Sequence, residues 1–241
     1  MPVMKKDSDT NLIFQDLTPL RLVEAVVFDF DGTLAELNVD FGQMRAGLLD
    51  IIEQFKLQKN DFKDLFALEM VDAAASAIER LRPEDAPVLR EKTLRFICDV
   101  EMKGAQRGKL FAGVGEMFHH LRTMKIKTGV VTRNCRDAVY CMYPDIEIDC
   151  DVLVTREATE RVKPHPEHLF TALEQLSVDP KSAAMVGDHP MDIQTGKAAG
   201  VFTVGVLSGY SGAEPLIEAR ADLIVERVSE IVELIRKQRT R

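Results

Sequence analysis

The 241-residue sequence lacks the features that mark export, membrane insertion and disulfide cross-linking. Its start contains two lysines but no apolar stretch long enough for a signal peptide. No segment reaches the apolar length that is needed to span a bilayer. The four cysteines form no C-x-x-C pair, and without an export signal such cysteines are typically free thiols. We therefore expect a soluble, cytoplasmic protein with reduced cysteines.

The sequence also lacks a run of lysine and arginine residues. The net charge is -8, and acidic and basic residues are mixed along the chain. This balance repels nucleic acid and anionic lipid, so neither a nucleic acid nor a membrane is an expected partner. The five histidines have no spacing that indicates a zinc site. Neither an internal repeat nor a flexible Gly/Ser linker is present, and the sequence carries no signal for an oligomeric state.

Short apolar runs alternate with helical stretches over most of the chain. The runs predict strands at residues 25–28, 126–131, 152–155, 183–186, 202–207 and 223–225. The stretches between them predict helices near residues 115–124, 134–142, 166–176, 190–199 and 228–238. Because strands that alternate with helices pair in parallel, we expect an α/β fold in which one parallel sheet lies between two layers of helices.

Residues 36–107 differ, because their apolar residues recur at helical spacing with no strand-like run among them. We predict a small all-helical domain of two or more helices, inserted between the first strand and the rest of the sheet. The predicted organisation is an N-terminal extension of unknown role at residues 1–20, an α/β core at 21–35 and 108–241, and a helical insertion at 36–107. Residues 12–24 show no clear period and stay unassigned.

Chemically active residues follow the predicted strands at their carboxyl ends, where open parallel sheets bind ligands. They are Asp29 and Asp31 after the first strand, Thr132 and Arg133 after the second, Lys163 in a loop, and Asp188 and Asp192 after the fourth. Each type also has an ordinary structural interpretation, as a turn residue, a helix cap, a strand residue or an exposed lysine. Four carboxylates at one edge would repel one another without a cation, and oxygen ligands indicate Mg²⁺. With a lysine and a hydroxyl beside them, they suit a phosphoryl group.

The segment Asp29-Phe30-Asp31-Gly32-Thr33-Leu34 resembles motif one of the haloacid dehalogenase superfamily in its phosphatase form. Further matches to the family are Thr132 in the second motif, Lys163 in the third, and Asp188 with Asp192 in the fourth. Their order and spacing agree over residues 25–210, and residues 163–166 and 186–188 are most similar to the phosphoglycolate phosphatase-like branch. The resemblance implies a three-layer α/β/α Rossmann-like core with a small helical cap. It also implies Mg²⁺ as cofactor and a small phosphomonoester as substrate, such as phosphoglycolate or a sugar phosphate.

The resemblance further implies a chemical role for each residue. Asp29 would be the nucleophile that forms an aspartyl-phosphate. Asp31 would protonate the leaving alkoxide and then act as base on the hydrolytic water. The phosphoryl group would be bound by the Thr132 hydroxyl, the backbone N–H of Arg133 and the Lys163 ammonium.

The implied metal ligands are the Asp29 carboxylate, the main-chain carbonyl of Asp31 and the Asp188 carboxylate. Asp192 would act through a water molecule or as support for the ligands. A helical cap that opens and closes would select the leaving group. Candidates for gripping an anionic substrate tail are Arg45, early in the first cap helix, and, less strongly, Lys103 and Arg107 near its return to the core.

Other functions use similar residues. A phosphomutase of the same fold would pass the phosphate between positions on a sugar instead of releasing it. A phospho-accepting signalling module also combines an aspartate, Mg²⁺, a hydroxyl and a lysine on a parallel sheet, but such modules are much shorter and lack an acid two residues after the nucleophile. A dehalogenase is expected to lack the acid at Asp31 and the metal-binding acid pair. Phosphomonoester hydrolysis is therefore the first hypothesis and a phosphomutase the second.

Overall fold

A computed structural model describes residues 13–14, 16–36 and 38–240 of the chain. These residues form two compact units. One is a helical unit, Asn38–Arg107, and the other is an α/β unit made from the chain on both sides of it, Met1–Leu37 and Gly108–Arg241. The extension predicted at residues 1–20 lies partly outside the described residues, and its described part belongs to the α/β unit.

A mixed sheet forms the middle of the α/β unit. In chain order the strands of the described residues are β1 (Ile13–Phe14), β2 (Ala25–Phe28), β3 (Ala35–Glu36), β4 (Lys109–Leu110), β5 (Lys127–Val131), β6 (Val152–Val154), β7 (Ala183–Gly187), β8 (Phe202–Val206) and β9 (Leu223–Val225). Seven of them form the sheet in the order β1-β9-β8-β7-β2-β5-β6. All neighbours in it are parallel except β1, which runs antiparallel to β9 at one edge. The six predicted strands are all present.

Ten α-helices of the described residues connect these strands, follow the last strand or form the helical unit. In chain order the α-helices of the described residues are α1 (Phe41–Gln54), α2 (Ala67–Glu79), α3 (Asp85–Ala105), α4 (Val114–Thr123), α5 (Arg136–Met142), α6 (Ile146–Asp149), α7 (Glu167–Leu176), α8 (Pro190–Ala199), α9 (Ala213–Glu218) and α10 (Glu230–Arg239). The five helices predicted outside residues 36–107 correspond to α4, α5, α7, α8 and α10. The short helices α6 and α9 were not predicted.

The two faces of the sheet are covered by different helices. The apolar side chains of α7 recur at helical spacing and share one buried cluster with residues of β2, β5 and β7, including Val27. The next residue of β2 is Phe28, whose ring packs edge-to-face on Phe118 of α4 with the ring centroids 5.5 Å apart. Because side chains alternate along a strand, Val27 and Phe28 face opposite sides of the sheet. The expected three-layer α/β/α core is confirmed.

The register of the sheet brings the carboxyl ends of three central strands to one level. β2 lies between β5 and β7, and Phe28 is opposite Val130 of β5 and Val186 of β7. Every residue of β2 is buried, as is typical of a parallel strand with helices on both faces. The residues that follow β2, β5 and β7 therefore lie at one edge of the sheet.

The helical unit has a core of its own. The side chain of Asp40 accepts a hydrogen bond from the backbone N–H of Gln43 at 2.8 Å, which caps the start of α1. Apolar side chains of α1, α2 and α3 form one buried cluster, and Leu48, Met70 and Leu89 within it have no exposed surface. Residues 38–107 thus bury an apolar core without using the sheet.

Short strands account for two differences from the sequence prediction. The helical unit begins at Asn38 and not at residue 36, because Ala35 and Glu36 pair with Leu110 and Lys109 to form the β3–β4 ladder of the α/β unit. The unassigned residues 12–24 contain β1 and a 3₁₀ turn, Thr18–Leu22, as well as residues outside the described part. The strands β1, β3 and β4 are each two residues long, too short for a periodic pattern to reveal them.

Two expectations about the chain's chemistry can be compared with the structure. None of the four cysteines, all of which lie in the described part of the chain, forms a disulfide bond; Cys135 and Cys150 are buried and Cys141 is exposed. Among the described residues, no helix combines the length and the apolar character that crossing a membrane requires.

Candidate active site

The turn after β2 holds the first pair of candidate residues. Asp29 is 8% exposed, and its backbone N–H donates to the Val186 carbonyl at 2.8 Å, which fixes it against β7. The chain then turns back on itself, as the N–H groups of Leu34 and Ala35 both donate to the Phe30 carbonyl, at 2.9 and 3.0 Å. Gly32 has a φ of +87°, a conformation that favours glycine over other residues. Asp31 is half-buried in this turn.

Lys163 joins two of the candidate carboxylates. Its ammonium donates to Oδ1 of Asp29 and, at 2.7 Å, to Oδ1 of Asp192, and its side chain is 3% exposed. Burial alone would lower the pKa of Lys163, but the carboxylates of Asp192 and Asp29 raise it above its ordinary value. Lys163 therefore stays protonated inside the site and offsets negative charge there.

The loop of Lys163 is itself held in place. The backbone N–H of Lys163 donates to Nδ1 of His168 at 3.2 Å, and the Lys163 carbonyl accepts a hydrogen bond from the Arg133 guanidinium at 3.1 Å. His168 is fully buried, and its pKa is lowered to about 3 by burial and by the charge of Lys163. His168 is thus neutral, and its Nδ1 accepts the hydrogen bond from the Lys163 amide.

Asp188 lies at the end of β7 with 1% of its surface exposed. Its Oδ1 accepts from the Thr33 hydroxyl at 3.2 Å, and its Oδ2 accepts from the backbone N–H of Tyr210 at 2.9 Å. Burial and the charge of Asp192 raise the pKa of Asp188 to about 6. Burial likewise raises the pKa of Asp29 well above its ordinary value, although Lys163 acts in the opposite direction.

These carboxylates fit a divalent cation. One oxygen from each of Asp29, Asp188 and Asp192 lies within 4.8 Å of the others, and all three residues are buried. The raised pKa values of Asp29 and Asp188 show that burial and mutual repulsion disfavour their charged forms. A bound cation would reverse this penalty, and a donor set made of oxygen atoms suits Mg²⁺.

Asp192 has protein donors on both carboxylate oxygens. Oδ1 accepts from Lys163, and Oδ2 accepts from the backbone N–H of His189 at 3.1 Å. His189 in turn accepts the Met191 N–H through Nδ1 at 3.1 Å, so the two side chains form a reciprocal cap at the start of α8. The helix start therefore fixes Asp192 in contact with Lys163.

The end of β5 contributes Thr132 and Arg133. Thr132 is 1% exposed, and its hydroxyl oxygen accepts the backbone N–H of Asn134 at 3.2 Å. The half-buried Arg133 side chain points to the loop of Lys163 and to Met191, whose sulfur lies 2.8 Å from the guanidinium. The carbonyl of Arg133 accepts a hydrogen bond from Arg156 at 3.1 Å. The peptide groups that follow Thr132 are thereby fixed from two sides.

The candidate substrate-binding residues of the predicted cap all lie in the helical unit. Arg45 donates to the backbone carbonyl of Lys63, and Nε of Arg107 donates to the carbonyl of Lys103 at 3.1 Å. Both contacts are internal to that unit. A role for these residues in substrate binding stays a prediction.

The loop after β8, Leu207–Gly212, is a part of the site that the sequence did not indicate. The Ser208 hydroxyl donates to the Gly32 carbonyl at 2.9 Å, and the Tyr210 N–H donates to Asp188. These contacts involve a neutral side chain and a backbone group, so no charged residue marked the loop. Its position after a parallel strand was the signal that would have found it.

Comparisons with known proteins agree with this architecture. The family model for "Haloacid dehalogenase-like hydrolase" matches residues 26–206. The chain is 35% identical to "Pyrophosphatase PpaX" of Bacillus cereus over 215 residues, which cover 88% of this chain and 96% of that protein. It is 30% identical to a haloacid dehalogenase-like hydrolase domain-containing protein of Arabidopsis thaliana, over 81% of this chain and 74% of that one. The crystal structure of a β-phosphoglucomutase from Clostridium difficile matches with a TM-score of 0.60 at 17% identity. The match covers 91% of this chain and 100% of that chain and shows the shared fold.

Proposed function

The chain belongs to the haloacid dehalogenase-like hydrolases, and we propose that it hydrolyses a small phosphomonoester, with Mg²⁺, through an aspartyl-phosphate on Asp29. The observation that carries the proposal is the buried arrangement in which Lys163 joins Asp29 to Asp192 beside Asp188. Buried ion pairs contribute little net stability compared with apolar side chains of similar volume. Stability therefore does not explain why these charges are buried together. The arrangement suits the binding of a phosphoryl group and a cation.

The nucleophile in this proposal is Asp29. Its backbone is fixed to β7 through the Val186 carbonyl, and Lys163 donates to its Oδ1. Burial raises the pKa of Asp29 and the Lys163 ammonium acts in the opposite direction, so the nucleophilic carboxylate form depends on Lys163 and would be favoured further by a bound cation. A carboxylate oxygen attacks phosphorus, the bond from phosphorus to the ester oxygen breaks, and Asp31 gives a proton to the leaving oxygen.

The second half of the reaction restores the enzyme. Asp31, now ionised, takes a proton from a water molecule as that water attacks the phosphorus of the aspartyl-phosphate. The bond between phosphorus and the Asp29 oxygen breaks, which releases inorganic phosphate and regenerates the carboxylate. Asp31 ends the cycle protonated, so protons and electrons balance over the two steps.

Three further groups stabilise the charge that develops on the phosphoryl oxygens. The Lys163 ammonium, the Thr132 hydroxyl and the backbone N–H of Arg133 are the proposed donors. Asp29, Asp188 and the main-chain carbonyl of Asp31 would hold Mg²⁺, which when bound neutralises phosphate charge. Asp192 accepts a hydrogen bond from the Lys163 ammonium and is fixed by the backbone N–H of His189, so its proposed role is to orient Lys163.

We propose that the helical unit acts as the family's cap, while the α/β unit supplies the chemistry. A cap excludes water and contacts the part of the substrate that leaves. Arg45 is the proposed contact for an anionic group on that part. A matched pair of variants tests it: Arg45→Gln should raise KM for an anionic substrate, whereas Arg95→Gln, which alters an exposed residue of α3, should not.

Inorganic pyrophosphate is a second candidate substrate. The observation that favours it is the similarity to the pyrophosphatase of Bacillus cereus over nearly its whole length. The chemistry at Asp29 would be the same, with phosphate in place of an alkoxide as the leaving group. This substrate would need less help from Asp31, because phosphate leaves more easily than an alkoxide.

Phosphate release from a substrate panel tests the proposal. The panel contains phosphoglycolate, sugar phosphates and pyrophosphate, each with Mg²⁺ and with EDTA, for the wild type, Asp29→Asn and the exposed-residue control Asp145→Asn. We expect release that needs Mg²⁺, disappears in Asp29→Asn and persists in Asp145→Asn. Near-normal release by Asp29→Asn would contradict the assignment of the nucleophile. Isomerisation of a sugar phosphate in the presence of a bisphosphate primer, with no net release of phosphate, would favour a phosphomutase.

A further inference from the structure

The β8–α9 loop, Leu207–Gly212, makes two hydrogen bonds to the candidate site from outside the family motifs. Ser208 donates its hydroxyl to the Gly32 carbonyl, at 2.9 Å, and Tyr210 donates its backbone N–H to Oδ2 of Asp188, also at 2.9 Å. The loop follows β8, which pairs in parallel with β7. The strand that ends at Asp188 and the strand that ends at the loop are therefore neighbours.

Between these two hydrogen bonds, Gly209 lies directly against Asp188. A Cβ atom added at Gly209 would lie closer than 3.0 Å to the Cβ, Cγ and Oδ2 atoms of Asp188. A Cβ atom added at Gly32 would be equally close to the carboxylate of Asp188. Two glycine backbones thus enclose the Asp188 side chain, and no space for a methyl group exists on either side.

Gly32 and Gly209 differ in the physical reason why a side chain would be unfavourable there. Gly32 has a φ of +87°, so a side chain there would strain the backbone as well as displace Asp188. The φ of Gly209 lies outside the left-handed range, so alanine is compatible with its backbone. Replacement of Gly209 by alanine consequently tests the contact with Asp188 and nothing in the backbone.

We infer that Gly209, with the Tyr210 N–H beside it, is a positioning element that sets the Asp188 carboxylate for Mg²⁺. Asp188 is 1% exposed, so its carboxylate is packed on all sides. A methyl group at residue 209 would therefore move the carboxylate away from its present position. Groups that orient a metal ligand from outside the coordination shell typically change metal affinity about 10–100-fold when they are altered. This inference rests on the proposed function only through the assignment of Asp188 as a Mg²⁺ ligand.

The test measures Mg²⁺ binding to the full-length protein by titration calorimetry, in wild type, Gly209→Ala and Gly212→Ala. Gly212 belongs to the same loop, and nothing lies within 4 Å of a Cβ atom added there. We expect Gly209→Ala to bind Mg²⁺ about tenfold or more weakly and Gly212→Ala to bind it like the wild type. We also expect the rise in Tm that Mg²⁺ causes, measured against each variant's own Tm in EDTA, to shrink in Gly209→Ala.

Wild-type Mg²⁺ affinity in Gly209→Ala would overturn the inference, and so would an equal loss in Gly212→Ala. If Gly209→Ala does not fold, Ser208→Ala decides, since it removes the hydrogen bond to Gly32 and keeps the glycine. It should weaken Mg²⁺ binding about two- to tenfold, as the loss of one hydrogen bond does, and an unchanged affinity would overturn the inference. Because binding is measured without substrate, a failure of the proposed phosphatase activity is detected separately, by absent phosphate release from a wild type that binds Mg²⁺.

Discussion

Replacing Lys163 with methionine should destabilise the protein by far more than the loss of a surface lysine does. The Lys163 side chain is 3% exposed, and its ammonium donates to Asp29 and Asp192. Methionine keeps most of the apolar stem and removes the charge, so the carboxylates stay buried without this partner. The variant thus isolates the electrostatic contribution of the ammonium group.

The expected magnitude follows from the burial of the pair. Removal of one partner from a buried ion pair costs about 3–5 kcal/mol. For a chain of this size, each kcal/mol shifts Tm by about 2–4 °C, so a fall of about 6–20 °C is expected in EDTA. The fall should be smaller at about pH 5.5 than at about pH 8, because the remaining carboxylates then take up protons. Mg²⁺ should also reduce it, since a bound cation offsets the same charge.

Lys197→Met is the matched control. Lys197 forms an ion pair with Asp222, but their side chains are 37% and 18% exposed, so its loss should cost about 0–1 kcal/mol. Thermal unfolding of both variants, with EDTA and with Mg²⁺, gives the comparison. If Lys163→Met in EDTA loses no more stability than Lys197→Met, the buried charge arrangement does not have the energetics inferred from its geometry.

Three further predictions concern other parts of the chain. The pKa of His168 is lowered to about 3, so the stability that the neutral imidazole contributes is complete above its unfolded pKa near 6.5 and falls as the pH drops below that value. Between about pH 7.5 and 5.5, the wild type should lose about 1.4 kcal/mol more unfolding free energy than His168→Asn, as measured by denaturant unfolding. An equal loss in the two proteins would refute this prediction. Leu173 of α7 is 2% exposed in the core, so Leu173→Ala should cost about 2–5 kcal/mol in the same assay, against a small change for the exposed Leu22→Ala. Asp29→Asn removes a buried charge and should leave Tm in EDTA nearly unchanged or higher, whereas a large fall would show that Asp29 is needed for folding.

The sheet was predictable because each of its central strands has a recognisable pattern within its own few residues. Each central strand is a short buried apolar run, such as Ala25–Phe28, that ends in polar residues. The rule that ligands bind at the carboxyl ends of parallel strands then selected Asp29, Thr132 and Asp188 as candidates. The predicted family and enzyme class, a haloacid dehalogenase-like phosphatase, are confirmed. The roles of the individual residues stay predictions.

Other features depend on contacts between distant parts of the chain. β1 and the β3–β4 pair are two residues long, so their pairing decides their structure and no period reveals it. The Gly209 contact with Asp188 and the His168 contact with Lys163 involve a glycine and a backbone amide. Neither group has a sequence signature, because only the fold determines which atoms it meets.

The contacts of Asp192 could not be predicted from its residue type. Its match to the fourth family motif, four residues after Asp188, implied a role at the metal through a water molecule or as support for the ligands. In the structure, the start of α8 engages one oxygen and Lys163 the other. The role of Asp192 stays a prediction, and the cap with His189 that fixes it beside Lys163 had no signal in the sequence.

The central claim is that Asp29 carries the phosphoryl group during turnover. The most direct measurement is rapid acid quenching of the enzyme with its best substrate, labelled with ³²P, followed by peptide mapping of the labelled residue. We predict transient label on the peptide that contains Asp29, and none in Asp29→Asn. Label on another residue, or full turnover with no labelled enzyme at any quench time, would contradict the account.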